Sequence, residues 1–491
     1  MPIKIFIGLF CGVLLLSSCK KWLDVKPESQ VSKNELFQTA SGYEEALNGV
    51  YSRCSQGDIY GKELSFGLLD VLVQNYYIPG LDPLKYLQTS LYRYNDQDFI
   101  TRKDSIWNGL YSAIANCNLI LANIEDGKKI MPSTDYTIIK GEALGMRAYL
   151  HFDALRIFAP SFASNPNAPA IPYVSDFSNK VTPLSTVSAA LTKIIQDLND
   201  AKTLLATVDP IVSGGYIVGY PTLPSDGSTE QNETSLFMQN RRNRLNYYAV
   251  CGELARACLY NNDRTNALKN AMEVINSRKF PWTSQADFID IDPRRIDRIL
   301  YKELIFSWYI PPQTKPLLLL FGSDVNSLYM LKNDGASIYE TGGVGGDDLR
   351  YKQWFKTVTD ASSSRLDLMK YTRDADSNRH PLVAPALRLS ELYYIAAECT
   401  YDTDPAKATG YVDSVRLHRG IGTPMTASSK DDFLGQLVKE ARKEFYGEGQ
   451  IFYMYKRLNR NILGLSGSII PVSNNRFVLP LPNDEIEFGN R

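Results

Sequence analysis

Histidine is almost missing from this sequence: His151, His380 and His418 are the only three in 491 residues. None stands in an HExxH pattern or beside a cysteine at ligand spacing, which excludes the usual sequence forms of a catalytic zinc site. His151 lies in a helical pattern and reads as a structural histidine. An excess of either charge is missing too. With 53 basic and 54 acidic residues the net charge is −1, so nothing in the bulk balance draws the chain to nucleic acid or to an anionic membrane surface. No apolar run reaches the roughly 20 residues that a spanning helix needs. There is no G-x-S-x-G elbow, the common cue for a serine hydrolase, and tryptophan is held to five.

Other patterns fail on inspection. Asp374-Ala-Asp376-Ser-Asn378 starts like a calcium loop, but Arg379 stands where the turn glycine belongs and Pro385 where the bidentate glutamate belongs. Gly342-Gly343-Val344-Gly345-Gly346 has no following Lys-Ser/Thr to make a phosphate cradle. The adjacent acids Asp347 and Asp348 read as a solvated pair, since glycoside hydrolysis depends on a separation in space. The expectation is a binding protein without metal or cofactor, not an enzyme.

What is present begins at the N-terminus. MPIKIFIGLFCGVLLLSSC joins a basic start at Lys4 to about a dozen mostly apolar residues and then to Leu16-Ser17-Ser18-Cys19. The run is short for a bilayer and right for a secretion signal. Leu-Ser-Ser-Cys resembles the lipobox of bacterial lipoproteins, so residues 1–18 are expected to be removed and Cys19 to carry lipid as the new terminus. Multiple acyl chains give stable anchoring where one gives only marginal binding. An ordinary secretory signal, with Cys19 an incidental thiol, is the alternative.

The remaining chain is 44% apolar and 22% charged over its full length, enough for a large core. Cys54, Cys117, Cys251, Cys258 and Cys399 are odd in number, widely spaced and set in apolar helical patterns, so they read as small core residues and not as a disulfide framework.

Residues 19–33 form a short polar tether, and a single domain is expected over 34–491. Apolar residues recur at steps of three and four from Ile106 through Trp107, Leu110, Tyr111, Ile114 and Cys117, and again from about Ile138 to Phe158, which predicts a helical hairpin near 106–158. Further helical hairpins are expected near 187–278 and 386–460. Within them LNYYAVCGELARACLYNNDRTNALKNAMEVINS and LRLSELYYIAAECTYDTDPAKATGYVDSVRLHRG each place small residues on two helices around a polar turn. Each resembles a tetratricopeptide unit, a helix pair that must stack on neighbours to bury its face. Loop-rich inserts are expected near 66–104, 209–243 and 280–385, the last rich in Gly, Pro, Asp and aromatics with only short strands.

Eight segments in order then resemble one family. The lipobox with CKKWLDVKP, the helix from Trp107 to Asn118, GEALGMRAYLHFDALRIFA, the Arg244–Asn276 pair, KELIFSWY, LRLSELYYIAAE with VRLHRG, EARKEFYGEG with YKRLN, and LPLPNDEIEFGN follow the pattern of the SusD/RagB family across nearly the whole mature chain. One departure is Glu448-Gly449-Gln450-Ile451 with Met454, where the family usually has arginine and aspartate three apart. Positions three apart on a helix face one another, so an apolar contact is expected in place of an ion pair.

The resemblance implies a mainly α fold of four tetratricopeptide-type pairs carrying a loop-rich ligand face. It also implies a lipid-anchored cell-surface protein of the outer membrane that binds nutrients and sits over a SusC-like TonB-dependent transporter. The ligand would be oligosaccharide, with a peptide receptor on the same scaffold, or a protein–protein adapter, as alternatives. Sugar rings offer C–H faces and a hydroxyl rim, so exposed aromatics beside amides are the residues to look for. Asn75, Tyr76, Tyr77, Tyr86, Tyr92 and Tyr94 in the first insert, with Trp308, Tyr309, Tyr329, Tyr339 and Trp354 in the last, are the candidates. Trp107 and Tyr111 are assigned to the core.

Overall fold

Helix follows helix along most of the chain, and most of the long ones start where a side chain takes up the free N–H groups of the first turn. The structure, a computed structural model, describes residues 33–223, 226–322, 327–359, 364–373 and 378–489. The expected leader, Cys19 and most of the tether lie outside the described residues, as do positions 374–377 of the rejected calcium loop.

Helix α1 (Ala40–Cys54) is capped by Thr39 and α2 (Gln97–Gly127) by Asp96, whose carboxylate accepts from the Asp98 and Phe99 amides. Helix α3 covers Ser133–Phe158, and α4 (Val187–Leu205) is capped by Thr186. Helices α5 (Tyr247–Tyr260) and α6 (Arg264–Ser277) start at Asn246 and Asp263. Helix α7 covers Leu389–Thr400, α8 (Pro405–Leu417) is capped by Asp404, α9 (Lys430–Glu444) by Ser429, and α10 covers Gln450–Leu458. A short polar side chain at each such position satisfies donors that the helix cannot.

Each of the first eight helices packs on the one before it, so α1/α2, α3/α4, α5/α6 and α7/α8 make four stacked pairs. The two tetratricopeptide-like units are α5/α6 and α7/α8, which meet through α6 and α7 although more than a hundred residues of insert separate them in sequence. Small residues permit the close crossings: a Cβ on Gly252 of α5 would lie 2.2 Å from the Leu387 side chain. Two boundaries differ from the sequence reading. Helix α2 starts at Gln97 and not near Ile106, because Asp96 is the cap, so residues 97–104 of the first insert are helical. Helix α3 starts at Ser133, a turn before the first apolar repeat.

The strands are short and antiparallel. β1 (Pro169–Pro172) pairs with β2 (Leu184–Thr186). β3 (Leu304–Tyr309) pairs with β7 (Val383–Arg388), with Trp308 opposite Ala384 and Tyr309 opposite Val383. β4 (Tyr329–Leu331), β6 (Ser364–Leu368) and β5 (Phe355–Thr359) form a three-stranded sheet in that order. A last hairpin joins β8 (Ile462–Leu463) to β9 (Ile469–Ile470). One large core fills the space between helices and inserts. A small satellite of Tyr220, Ile299, Tyr301, Leu304 and Val383 lies where the second and third inserts meet.

The quoted C-terminal segments converge on buried charge. Glu444 receives Arg419, Arg388 and Arg350, and Arg419 also reaches Glu303 at 2.6 Å. Arg388 continues to Glu448 at 2.9 Å, which also holds Lys370 at 2.7 Å. Burial opposes ionisation of Glu444, but the arginines, Arg419 and Arg388 first, hold its carboxyl well below the usual range. The free cysteines are packed as read, Cys54, Cys117, Cys251 and Cys258 buried and Cys399 half-buried. Ile451 is buried and Met454 half-buried against the core, so the departure from the family pattern is apolar on both sides. Among the described residues no helix is long and apolar enough to cross a membrane.

Candidate functional site

The alternation of β3 decides which aromatic meets solvent. Successive strand side chains point to opposite faces. Trp308 turns inward, 1% exposed, and stacks on Tyr60 at 4.3 Å with an interplanar angle of 12°; Tyr309 turns outward and is 52% exposed. Tyr309 stands in a cavity of about 930 Å3 between α1, the second insert and the start of β7.

The cavity wall carries amides from Asn48, Gln231, Gln239, Asn240 and Asn243, with Tyr51 and Tyr309 as the aromatic faces. Asn240 sits in the left-handed region at φ 50°, which asparagine tolerates better than most residues. Its N–H donates to the Glu230 carbonyl at 2.8 Å, fixing the turn that presents it. The floor is a buried ion cluster. Arg244 donates through Nε to Glu142 at 3.1 Å and through Nη1 to Asn48 at 2.8 Å, while its buried Nη2 has no partner among the described residues. Tyr51 donates to Glu142 at 2.5 Å and accepts from the Leu245 amide at 2.9 Å, which leaves its ring as a wall. Burial and the Glu142 carboxylate push the Tyr51 hydroxyl well above its ordinary range, so it stays a donor.

The opposite wall is held by Asp297. Its carboxylate accepts from Tyr220 at 2.7 Å and from the Tyr301 amide at 2.8 Å, and His380 Nε2 lies 3.3 Å away. Burial raises its pKa, yet these partners outweigh burial and bring it to about 2. The His380 ring stacks on Tyr301 at 4.6 Å, and burial pushes its pKa down. Such a pocket, apolar faces ringed by amides and hydroxyls, suits a hydroxyl-rich ligand. None of the described residues that line it is aspartate or glutamate.

The residues nominated from sequence fare differently. Asn75 is fully buried, donating to Asp70 at 2.5 Å and accepting from Arg442 Nε at 3.0 Å. Asp70 itself accepts from the Gly447 and Gly449 amides at 3.0 and 2.7 Å. Tyr76 is buried edge-on against Tyr446 at 5.7 Å. Tyr86 is buried beneath the Arg102 guanidinium, 4.1 Å from the ring, with its hydroxyl on Glu63. Tyr339 is buried and donates to the Lys443 carbonyl at 3.1 Å; Trp354 is buried under the Lys370 ammonium at 3.6 Å. These five, with Trp308, are corrections: a ring or amide closed on all sides offers a ligand no face. The inserts that carry them fold back onto the core instead of standing clear.

Tyr77 remains at the surface, 38% exposed beside Tyr329 at 5.5 Å. Tyr92 and Tyr94 are half-buried, donating to the Leu72 and Arg476 carbonyls. None of the three lines the large cavity. Trp107 is in the core and Tyr111 packs half-buried against it, as assigned. His151 is buried on two backbone partners, the Arg147 carbonyl at 2.8 Å and the Val174 amide at 3.0 Å. The cavity's arginines and amides were missed, while Tyr309, one of the sequence candidates, does line it.

Comparison with known proteins gives two family matches. A sequence model named SusD-like_3 and described as "Starch-binding associating with outer membrane" matches residues 21–211, and one described as "SusD family" matches residues 359–472. A curated relative, SusD-like protein P25 of Formosa agariphila, is 26% identical over 204 residues, which spans 39% of this chain and 36% of the relative's length. Among solved structures, a SusD superfamily protein of Bacteroides thetaiotaomicron aligns with a TM-score of 0.71 at 22% identity, covering 92% of this chain and 98% of its own. A SusD-like carbohydrate binding protein of Bacteroides vulgatus aligns at 0.70 and 18% identity, covering 92% and 96%. At such identities the structural likeness speaks for the fold.

Proposed function

Because this chain belongs to the SusD/RagB family, we propose that it is a cell-surface lipoprotein that captures oligosaccharide and passes it to a SusC-like TonB-dependent transporter of the outer membrane. The observation that carries this reading is the 930 Å3 cavity, where exposed Tyr309 stands among amides. A sugar face lies on the tyrosine ring, and its hydroxyl rim meets Asn48, Gln239 and Asn243. Cys19 holds the chain to the membrane through its lipid. A receptor that hands its cargo on needs modest affinity, on the order of micromolar or about −8 kcal/mol. The transporter contact must be larger, above about 1,000 Å2, to be stable.

The test is titration calorimetry of the purified mature protein against oligosaccharides, neutral and acidic, and against short peptides. Saccharide binding is expected, weakened about tenfold by Tyr309→Ala, a change of about 1.4 kcal/mol, with the melting temperature unchanged. Peptide binding without saccharide binding would overturn the glycan reading. In cells, Cys19→Ala is expected to move the protein from the membrane to the soluble fraction, and retention at the membrane would remove the anchor from the proposal.

A further inference from the structure

Beside the large cavity, and sharing Arg373 and Asn378 with it, lies an annex of about 120 Å3 between residues 293–298 and 369–373. Its charged lining is basic: Arg294, Arg298, Lys370 and Arg373. No described residue lining either the cavity or the annex is aspartate or glutamate. Lys370 is occupied by Glu448 and Arg294 by Asp292. Arg298 and Arg373 are not. Arg298 donates to the Gln353 carbonyl at 2.7 Å and the Pro293 carbonyl at 3.1 Å, and Arg373 to the His380 carbonyl at 2.6 Å and the His380 ring at 2.9 Å. Neither is within ion-pair distance of a carboxylate among the described residues. Many other arginines of this protein are matched with acids, as at Glu444, Glu142 and Glu398, although buried Arg442 also uses neutral acceptors, Asn75 and two carbonyls.

Two guanidiniums sharing a half-buried wall without a counter-ion is an arrangement that an incoming anion relieves. Arg373 feels it: burial, with the charge of Arg298 added and Asp297 only partly compensating, brings its pKa down to about 10. Asp297 is itself committed to Tyr220, Tyr301 and His380. The planar guanidinium fork suits carboxylate and sulfate oxygens.

We infer that the cargo is an acidic oligosaccharide, whose carboxylate or sulfate enters the annex and is held by Arg298 and Arg373 while its neighbouring ring lies toward Tyr309 in the main cavity. This rests on the receptor reading above and narrows it to a substrate class. A peptide would bring a carboxylate too, but only at its ends or on acidic side chains, whereas the amide-lined cavity next door is built for hydroxyl groups along the whole ligand.

The test uses the mature protein and the variant Arg298→Gln/Arg373→Gln. Calorimetry compares oligogalacturonides and sulfated galactan oligosaccharides with neutral maltooligosaccharides and xylooligosaccharides of equal length. Acidic sugars are expected to bind at least about tenfold more tightly than neutral ones, and the double variant to lose about that factor, as charge-assisted hydrogen bonds require. Whether uronates or sulfated sugars bind better separates the two anion sources. A second readout needs no sugar: sodium sulfate should raise the melting temperature of the parent protein more than that of the double variant, with sodium chloride at equal ionic strength as the reference. Preference for neutral sugars, or acidic binding untouched by the double substitution, overturns the inference and leaves the receptor standing. Peptide binding alone overturns both. Equal sulfate response in the two proteins also overturns it.

Discussion

Arg419 and Glu444 face each other across a fully buried junction, Nη2 2.7 Å from Oε1 and Nε 3.0 Å from Oε2. Removing one partner strands buried charge on the other. Glu444→Ala would leave Arg419, Arg388 and Arg350 competing for fewer acids, and a loss of about 3–5 kcal/mol is expected. Guanidinium unfolding of parent and variant measures it, and a change below about 1 kcal/mol would contradict the network as the seat of stability.

Trp354→Ala is expected to cost about 3–5 kcal/mol, because it empties a buried site beneath Lys370. Saccharide affinity per folded molecule should stay as it was. Tyr309→Ala should do the reverse. The pair of measurements, chemical unfolding and calorimetry, separates a core aromatic from a surface one.

His151 is neutral in the fold. Burial brings its pKa from 6.5 down to about 3, and the Val174 amide uses the lone pair that a proton would take. Between pH 6.5 and 3 the unfolded chain therefore binds a proton that the folded chain refuses. This contribution is complete above pH 6.5 and declines by about 1.4 kcal/mol per pH unit in acid. Urea unfolding at pH 7.5 and 5.5 should show a smaller acid loss for His151→Gln than for the parent. Equal losses would mean that His151 titrates normally.

Gly449 has φ +72°, and a Cβ there would sit 2.6 Å from the Leu64 carbonyl oxygen and 2.9 Å from that of Ser65. Both obstacles are backbone and cannot swing away. Gly449→Ala is expected to lose more than about 1 kcal/mol, read as a lowered melting temperature, whereas Gly410→Ala, in open space on α8, should raise it or leave it unchanged.

The helical scaffold was legible because helix periodicity and small-residue crossings are local signals. α5/α6 and α7/α8 fall where their sequences place them. Caps shifted the ends, as at Asp96. The ligand face was harder. Tyr76, Tyr86, Tyr339 and Trp354 lie in turn-rich, polar stretches, which suggested exposure, but each is closed in by a side chain or strand beyond its own stretch: Tyr76 by Tyr446, Tyr339 by the helix of Lys443, Tyr86 by Glu63 and Arg102, and Trp354 by Lys370. Trp308, nominated for ligand contact, faces the core from a strand whose neighbour Tyr309 faces the cavity. Arg298 and Arg373 were invisible, since two arginines 75 positions apart vanish in a balanced total of 53 and 54 charges.

Asp70 finds its amide donors at Gly447 and Gly449, 377 and 379 positions later. A ribosome makes that carboxylate early and its seat almost last. Pairing the two extremes of the chain raises contact order and slows folding. The early insert thus stays unseated until synthesis is nearly complete. A chain cut after α8 would keep its stacked pairs but leave Asp70 and Asn75 without their partners, and it is this first insert, not the scaffold, that proteases should reach.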